Sequence, residues 1–293
     1  MDEWTVLAEL AQRHGVGDDC AVLPGAGSGG GDLLLTTDML HDATDFPGGV
    51  TRETMGWRAA AASLSDVAAM GGEPVACVLA AGSPELEAVG TIAEGAAAVC
   101  DEVGCRYAGG DVDRHAETTL ASTVLGRAVE DPVRRSGASP GDAVVVTGAL
   151  GRTAAALRAF QRGDAARGEA LFRFTPRIAA GRMLAHHASA MIDSSDGLAV
   201  SLHQLADASG VGFAVEEDRL PAIEDAEGRE DLVFTGEDYE LVATVPGDAV
   251  DEARDAVEEA GGDARLTVIG DCVAADDGVT MNGDPLPRRG YEH

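Results

Sequence analysis

Leu33-Leu34-Leu35-Thr36-Thr37-Asp38-Met39-Leu40 reads as a short buried strand that ends in two hydroxyls and a carboxylate. An Asp framed by leucines is costly to bury unless it is paired, hydrogen-bonded or bound to a metal. Further acids stand in the same kind of setting, at the ends of expected elements and beside small residues. They are Asp18-Asp19 after Gly17, Asp66 in Ser63-Leu64-Ser65-Asp66, Asp111 after Gly109-Gly110, and Asp193 with Asp196 in Asp193-Ser194-Ser195-Asp196-Gly197. Any one of them is compatible with a cap or a turn. Asp66 sits near the C-terminal end of an otherwise uncharged stretch, Ala59 to Met70, where a carboxylate opposes the helix dipole and a nearby cation would make sense of it. Together, carboxylates at strand ends beside hydroxyls suit a hard octahedral cation such as Mg²⁺. Mg²⁺ held by Asp and by substrate phosphates points to phosphoryl transfer.

The bulk composition narrows the setting. The chain has 293 residues and is 45% hydrophobic, enough for two domains with sizeable cores. No apolar run approaches the roughly 20 residues that span a bilayer, and the acidic start Met1-Asp2-Glu3-Trp4 does not read as a signal peptide. Five cysteines, Cys20, Cys77, Cys100, Cys105 and Cys272, are odd in number, spread out and free of any CxxC pair, which fits a reducing cytoplasm. Fifty-one acids face 21 basic residues for a net charge of −30, and lysine is absent. Such a field repels nucleic acid. It resembles the acidic, lysine-poor surfaces of salt-loving archaea, where molar salt shortens the Debye length to about 3 Å and screens the self-repulsion. Most acids here are therefore surface, and only those in apolar or glycine-rich settings carry information.

Strand and helix patterns alternate along the chain, which makes the class α/β (α+β). Helical spacing covers Glu3–Arg13. Strands are expected over 20–23, 33–38, 75–81, 105–108 and 118–129, with helices over 51–70 and 84–103 and Gly109-Gly110-Asp111 between two strands. The polar, turn-rich segment 133–142 marks a boundary between residues 1–132 and 133–293. The second half reads as strand 143–147, helix 152–162, helix 176–187, strand 190–192, helix 198–209, strands 211–215 and 239–245, helix 249–260 and strand 266–269.

Other chemistries fit less well. Gly25, Gly27 and Gly30 match GxGxxG by spacing but precede a strand, so the dinucleotide context fails. A Walker A loop needs a lysine, no HExxH pattern occurs, and the cysteines lack zinc spacing. Gly148-Ala149-Leu150-Gly151 joins a strand to a helix start, where free N–H groups favour a phosphate; the alternative is an ordinary tight turn. Arg135 is either a partner for nucleotide phosphates or a solvated charge.

The runs Gly17-Asp18-Asp19-Cys20-Ala21, Thr36-Thr37-Asp38, Leu64-Ser65-Asp66-Val67-Ala68-Ala69-Met70-Gly71, Gly109-Gly110-Asp111, Val146-Thr147-Gly148, Asp193-Ser194-Ser195-Asp196-Gly197 and Gly236-Glu237-Asp238-Tyr239-Glu240 stand in an order that resembles the thiamine-monophosphate kinase family of the aminoimidazole-ribonucleotide synthetase-like superfamily. The resemblance spans about residues 15–270. It implies a two-domain fold that pairs as a homodimer through N-terminal sheets, with the N-terminal domain holding ATP and Mg²⁺ and a C-terminal mixed sheet with helices completing the site. It implies Asp19, Thr36, Thr37, Asp38, Asp66, Asp111, Asp193 and Asp196 as metal ligands for several Mg²⁺ ions, with potassium a further candidate. Gly110, Asp111, Arg135 and Ser195 would contact ATP, and Glu237 the thiamine moiety. The family's substrate-touching His falls at Asp45 here, and its stacking aromatic falls near Arg288, with Tyr291 three residues on; Asp45 and Arg288 are therefore the substrate-side positions where this chain departs.

The implied reaction is ATP-dependent phosphorylation of thiamine monophosphate to thiamine diphosphate, with no membrane or nucleic-acid partner. Two rivals stand beside it. One is another ATP-using enzyme of the superfamily, such as a ring-closing synthetase, a hydrogenase-maturation enzyme or a selenophosphate synthetase, though no reactive Cys precedes Cys20 for the last. The other is a non-catalytic nucleotide- or cation-binding protein.

Overall fold

The computed structural model describes residue 13, residues 17–27 and residues 31–291; the helix expected over Glu3–Arg13 falls, but for Arg13, outside them. The leucine run forms the long strand expected of it. It is β2 (Leu33–His41), preceded by β1 (Ala21–Leu23). It alternates Leu34, Thr36, Asp38 and Leu40 on an inner face with Leu33, Leu35, Thr37 and Met39 on the other, the period of two that a pleated strand imposes. With β3 (Gly72–Ser83), β4 (Arg106–Arg114) and β5 (Thr119–Ala128) it makes a five-stranded sheet in the order β1-β2-β5-β3-β4. Only the β3–β4 pair is parallel.

The inner face of this sheet is covered by α1 (Arg52–Ala69) and α2 (Val89–Glu102). Thr51 caps α1 as its position suggested, its hydroxyl accepting from the N–H of Thr54 at 3.2 Å. Fifteen of the 18 residues of α1 are buried, because the helix is enclosed on all sides: by the sheet, by α2 and by the second half of the chain. Gly56 and Gly95 let α1 and α2 cross in backbone contact. A Cβ on Gly56 would lie 1.8 Å from the carbonyl of Ile92, and one on Gly95 1.8 Å from that of Glu53.

The second half forms a seven-stranded mixed sheet of order β12-β11-β8-β10-β6-β9-β7, made of β6 (Asp142–Thr147), β7 (Ala190–Asp193), β8 (Gly212–Val215), β9 (Leu241–Pro246), β10 (Leu266–Val273), β11 (Val279–Met281) and β12 (Asp284–Pro285). Its helices are α3 (Arg152–Gln161), α4 (Ala165–Phe172), α5 (Ile178–Leu184), α6 (Leu198–Ser209) and α7 (Val250–Glu259). α6 packs on one face; α5, α7 and the end of α1 pack on the other. The uninterrupted Ala143-Val144-Val145-Val146 run follows from this, since β6 is covered on both faces.

Three local expectations change. Gly109-Gly110-Asp111 is not a break between strands: β4 runs through it with Gly110 opposite Leu79 and Asp111 opposite Ala80, after a register shift between Cys77 and Leu79 where Gly109 takes φ 111, so pairing overrides the weak strand propensity of glycine. The helix expected over 84–103 begins only at Val89, after a 3₁₀ turn at Leu86–Ala88. The helix α4 lies in a stretch with no clear apolar period and is held by Phe172 entering the core around α1.

Candidate active site

Carboxylates from four places meet where α1 runs between the two sheets. One oxygen each of Asp19, Asp66 and Asp193 lie within 4.8 Å of one another. Asp19 comes from the loop ahead of β1, Asp66 from the last turn of α1, and Asp193 from the end of β7 in the other sheet. Asp38, on the inner face of β2, is the largest charged neighbour of Asp66. Helix α1 organises them. Ser63 Oγ donates to Asp38 Oδ2 at 2.6 Å, Ser65 Oγ to Asp193 Oδ2 at 2.6 Å, and Asp66 accepts from Thr36 Oγ1. Ser63 and Ser65 lie about 200° apart around the helix, so one reaches the first sheet and the other the second. Both hold carboxylates of the cluster, and reading acids alone misses them; their signal is two hydroxyls in an otherwise apolar helical turn.

The cluster is electrostatically unbalanced. Burial, and then Asp38, Asp193 and Asp19, push the Asp66 carboxyl well above its ordinary range. Burial and Asp19 push Asp193 up to about 8. Burial and four nearby carboxylates likewise raise the Cys20 thiol, and the backbone N–H of Cys20 donates to Met70 Sδ at 3.0 Å. The cation at the cluster is Arg135, whose Nη2 and Nε donate to Asp19 at 2.8 and 3.3 Å, while its backbone N–H and Arg134 hold Asp18. One guanidinium against four gathered carboxylates leaves negative charge to be met. The donors are carboxylate and hydroxyl oxygens, which fits a hard divalent cation rather than a soft one.

Thr37 and Asp111 lie on the other side of the first sheet. Thr37 Oγ1 donates to the Ser122 carbonyl at 2.8 Å and accepts from Thr123 Oγ1 at 3.1 Å. Asp111, beside Gly110, lines a small hollow of about 220 Å³ with Ala80, His115 and Ala121 on the sheet's open face. That face also exposes Leu35, Met39 and Val78. Asp196 stands three residues beyond Asp193, half-buried, its carbonyl accepting from the N–H of Tyr291 at 3.0 Å. The Ser195 carbonyl accepts from the N–H of Glu237 at 2.6 Å.

The far end of the site is built by the C-terminal tail. Asp45, 5% exposed, accepts from the N–H of His41 at 2.6 Å, from Thr44 Oγ1 at 2.8 Å and from the Tyr291 hydroxyl at 3.3 Å. The aromatic that meets Asp45 is thus Tyr291. Arg288 reaches outward to Asp207 at 2.6 Å on α6.

The strand-to-helix loop at Gly148–Gly151 resolves as a turn already filled by the protein. Asp238 accepts from the N–H groups of Gly151 and Thr153 at 2.6 and 2.9 Å, so the anion at this helix start is an internal carboxylate. Gly148 is small for packing: a Cβ there would press on Glu240, which is itself gripped by Arg177 through Nε at 2.7 Å and Nη2 at 2.5 Å.

Two mixed sheets joined through one buried helix, with carboxylates from both halves converging on it, define the class. Residues 17–128 match the N-terminal domain of AIR synthase related proteins, and residues 139–282 match their C-terminal domain. Among relatives, the chain is 50% identical to the thiamine-monophosphate kinase of Halobacterium salinarum over 94% of each chain. A solved structure, AaThiL complexed with AMPPCP and TMP, superposes with a TM-score of 0.87 at 27% identity, covering 100% of this chain and 97% of that one. The thiamine-monophosphate kinase of Stenotrophomonas maltophilia K279a superposes with a TM-score of 0.78 at 32% identity over 96% of this chain and 97% of that one. Within its class the chain belongs to the thiamine-monophosphate kinase family.

Proposed function

We infer that this chain transfers the γ-phosphoryl group of ATP to thiamine monophosphate, forming thiamine diphosphate and ADP. The observation that carries the reading is the buried gathering of Asp19, Asp38, Asp66 and Asp193 at the junction of the two halves, in a member of a family whose relative is known complexed with AMPPCP and TMP. The halves divide the work as residues 1–132, which supply most of the carboxylates, and residues 133–293, which supply Asp193, Arg135 and the substrate side.

The nucleophile is a phosphate oxygen of thiamine monophosphate. It bonds to the γ-phosphorus as the bond to the β–γ bridging oxygen breaks and that oxygen leaves with ADP. A monoester's second pKa is about 6, so the attacking oxygen is already deprotonated at neutral pH and no side chain has to remove a proton. Bound Mg²⁺ would supply charge neutralisation between the two phosphate groups. Asp19, Thr36, Asp38, Asp66 and Asp193 would hold it, with Asp196 at the rim. Ser63 and Ser65 aim two of these carboxylates. Arg135, poised on Asp19 and beside Ser195's turn, is the cation available to the nucleotide. Glu237, Asp45 and Tyr291 form the end that would take the thiamine rings.

The open face of the first sheet is assigned to a second copy of the chain. Its exposed Leu35, Met39 and Val78 are an apolar patch of the kind that marks an interface. Pairing there would carry Thr37, Gly110 and Asp111 to the partner's site, which accounts for ligand-type residues placed on the side away from their own cluster.

The decisive assay incubates the protein with ATP, Mg²⁺ and thiamine monophosphate in molar KCl and separates the products. Thiamine diphosphate appearing in step with ADP is expected. ATP bound but not consumed would leave a non-catalytic nucleotide-binding protein, and label from γ-labelled ATP retained on the protein would exclude direct transfer.

A further inference from the structure

Arg58 is a deeply buried charge that the chemistry above does not use. It sits on α1 with 1% of its surface exposed. Its Nη1 donates to the Phe172 carbonyl at 2.7 Å, and its guanidinium lies 3.8 Å over the Phe172 ring. Nη2 is buried without a hydrogen-bond partner and faces Glu237 Oε2 at 3.4 Å, beyond good hydrogen-bond length but close enough to feel its charge. A buried cation with one arm unsatisfied is expensive to keep unless it does something an apolar side chain could not.

Its partner is held by unusual means. Glu237 has φ 57, the left-handed region that a side-chain-bearing residue rarely adopts. Its N–H donates to the Ser195 carbonyl at 2.6 Å, and its own carbonyl accepts from Thr153 Oγ1 at 2.7 Å. The backbone of Glu237 is therefore fixed to the second half of the chain while its carboxylate is aimed across the cleft at a cation from the first. Tyr291 and Asp45 stand in the same electrostatic neighbourhood as Arg58 and Glu237.

We propose that Arg58 is a positioning residue that determines substrate selectivity: stacked on Phe172 and never touching substrate, it fixes the Glu237 carboxylate where that carboxylate accepts hydrogen bonds from the amino-substituted heteroaromatic part of the substrate. The proposal rests on the reading of the site given above. A planar fork is what the geometry needs, since one edge is used on Phe172, the face lies on its ring, and the other edge is left for Glu237; a lysine could satisfy only one of these.

The test measures thiamine binding directly by calorimetry, without phosphate or metal, together with KM for thiamine monophosphate and for ATP and the affinity for Mn²⁺ by electron paramagnetic resonance. It uses Arg58→Lys, Glu237→Gln and the double variant. Arg58→Lys is expected to weaken thiamine binding and raise KM for thiamine monophosphate by about tenfold, the scale of one charge-assisted hydrogen bond. KM for ATP and Mn²⁺ affinity should stay within about twofold, and the double variant should be no weaker than Glu237→Gln alone. Arg58→Met, which fills the apolar slot beside Phe172, carries the same comparison if the lysine variant does not fold. Unchanged thiamine affinity, an equal loss of ATP or Mn²⁺ affinity, or additive effects with Glu237→Gln would overturn the proposal. If the unsubstituted protein bound ATP and Mn²⁺ but no thiamine, the parent reading would fall and this one with it, a result distinct from loss in the variants alone.

Discussion

Asp193 is a short side chain with a long reach in consequence. It stands at the end of β7, yet the atoms it meets, Ser65 and the carboxylates of Asp19 and Asp66, belong to the other half of the chain. Replacing it with Asn keeps its shape and removes a carboxyl that burial and Asp19 push up to about 8 and that a bound cation would need ionised. Asp193→Asn is expected to lower kcat by at least about 100-fold, the scale of losing one electrostatic group in a preorganised site. The thermal midpoint in the absence of divalent cation should stay at or above that of the unsubstituted protein. Near-normal turnover would remove Asp193 from the site.

A second carboxylate makes the residue scale testable by pH. Burial pushes Asp238 from 3.8 up to about 7, against the opposing pull of the Gly151 and Thr153 N–H groups. Between 3.8 and about 7 the folded protein therefore holds a proton that the unfolded chain has released. Stability contributed by this group falls as pH rises across that window and is level above it. Denaturant midpoints at constant high salt are expected to decline less steeply from pH 4 to pH 7 in Asp238→Asn than in the unsubstituted protein. An identical slope would show that Asp238 titrates normally.

At the scale of elements, α1 is the part on which the others depend. Its alanines allow close packing on every side, its two glycine contacts set the crossing with α2, and its hydroxyls reach the acids of both sheets. The crossing has no slack, because the atom facing Gly56 is a backbone carbonyl that cannot rotate away. Gly56→Ala is expected to destabilise the protein by about 3 kcal/mol or more despite alanine's better helix propensity. A neutral or raised unfolding midpoint would mean that the helices can move apart. Most elements were legible because their apolar period was clean, as in β2, β6 and α6. The strand through 109–111, a segment expected to lie between two strands, was not, because glycine weakens a strand locally while seven paired positions with β3 decide for one. Ser63 and Ser65 were visible as residues but not as contacts, since nothing local says which wall of an enclosed helix a hydroxyl will meet.

At the scale of the whole molecule, the first sheet is covered on one face and open on the other. The open face carries apolar side chains together with Thr37 and Asp111, which chain order had grouped with the buried cluster. A second copy seated there, as proposed above, would account for both. Light scattering in molar KCl is expected to give a dimer, and Val78→Asp, placing a charge at the middle of that patch, a monomer with reduced turnover. A monomer already in the unsubstituted protein would require a different role for Asp111.

The amino-acid sequence by itself pointed to the class of the fold, to oxygen ligands and to a set of candidate acids. Each of these follows from short-range patterns: alternation along a strand, a cap before a helix, a carboxylate where an apolar run ends. Only the tertiary structure decided which of those acids share a space. Asp19, Asp38, Asp66 and Asp193 converge on α1, whereas Thr37 and Asp111 face the other way, because a pleated strand sends adjacent side chains to opposite sides of the sheet. It also decided that the helix start at Gly151 is closed by Asp238, and that Tyr291 rather than Arg288 meets Asp45. Those outcomes depend on contacts between residues far apart in the chain, made by packing and register rather than by any local pattern.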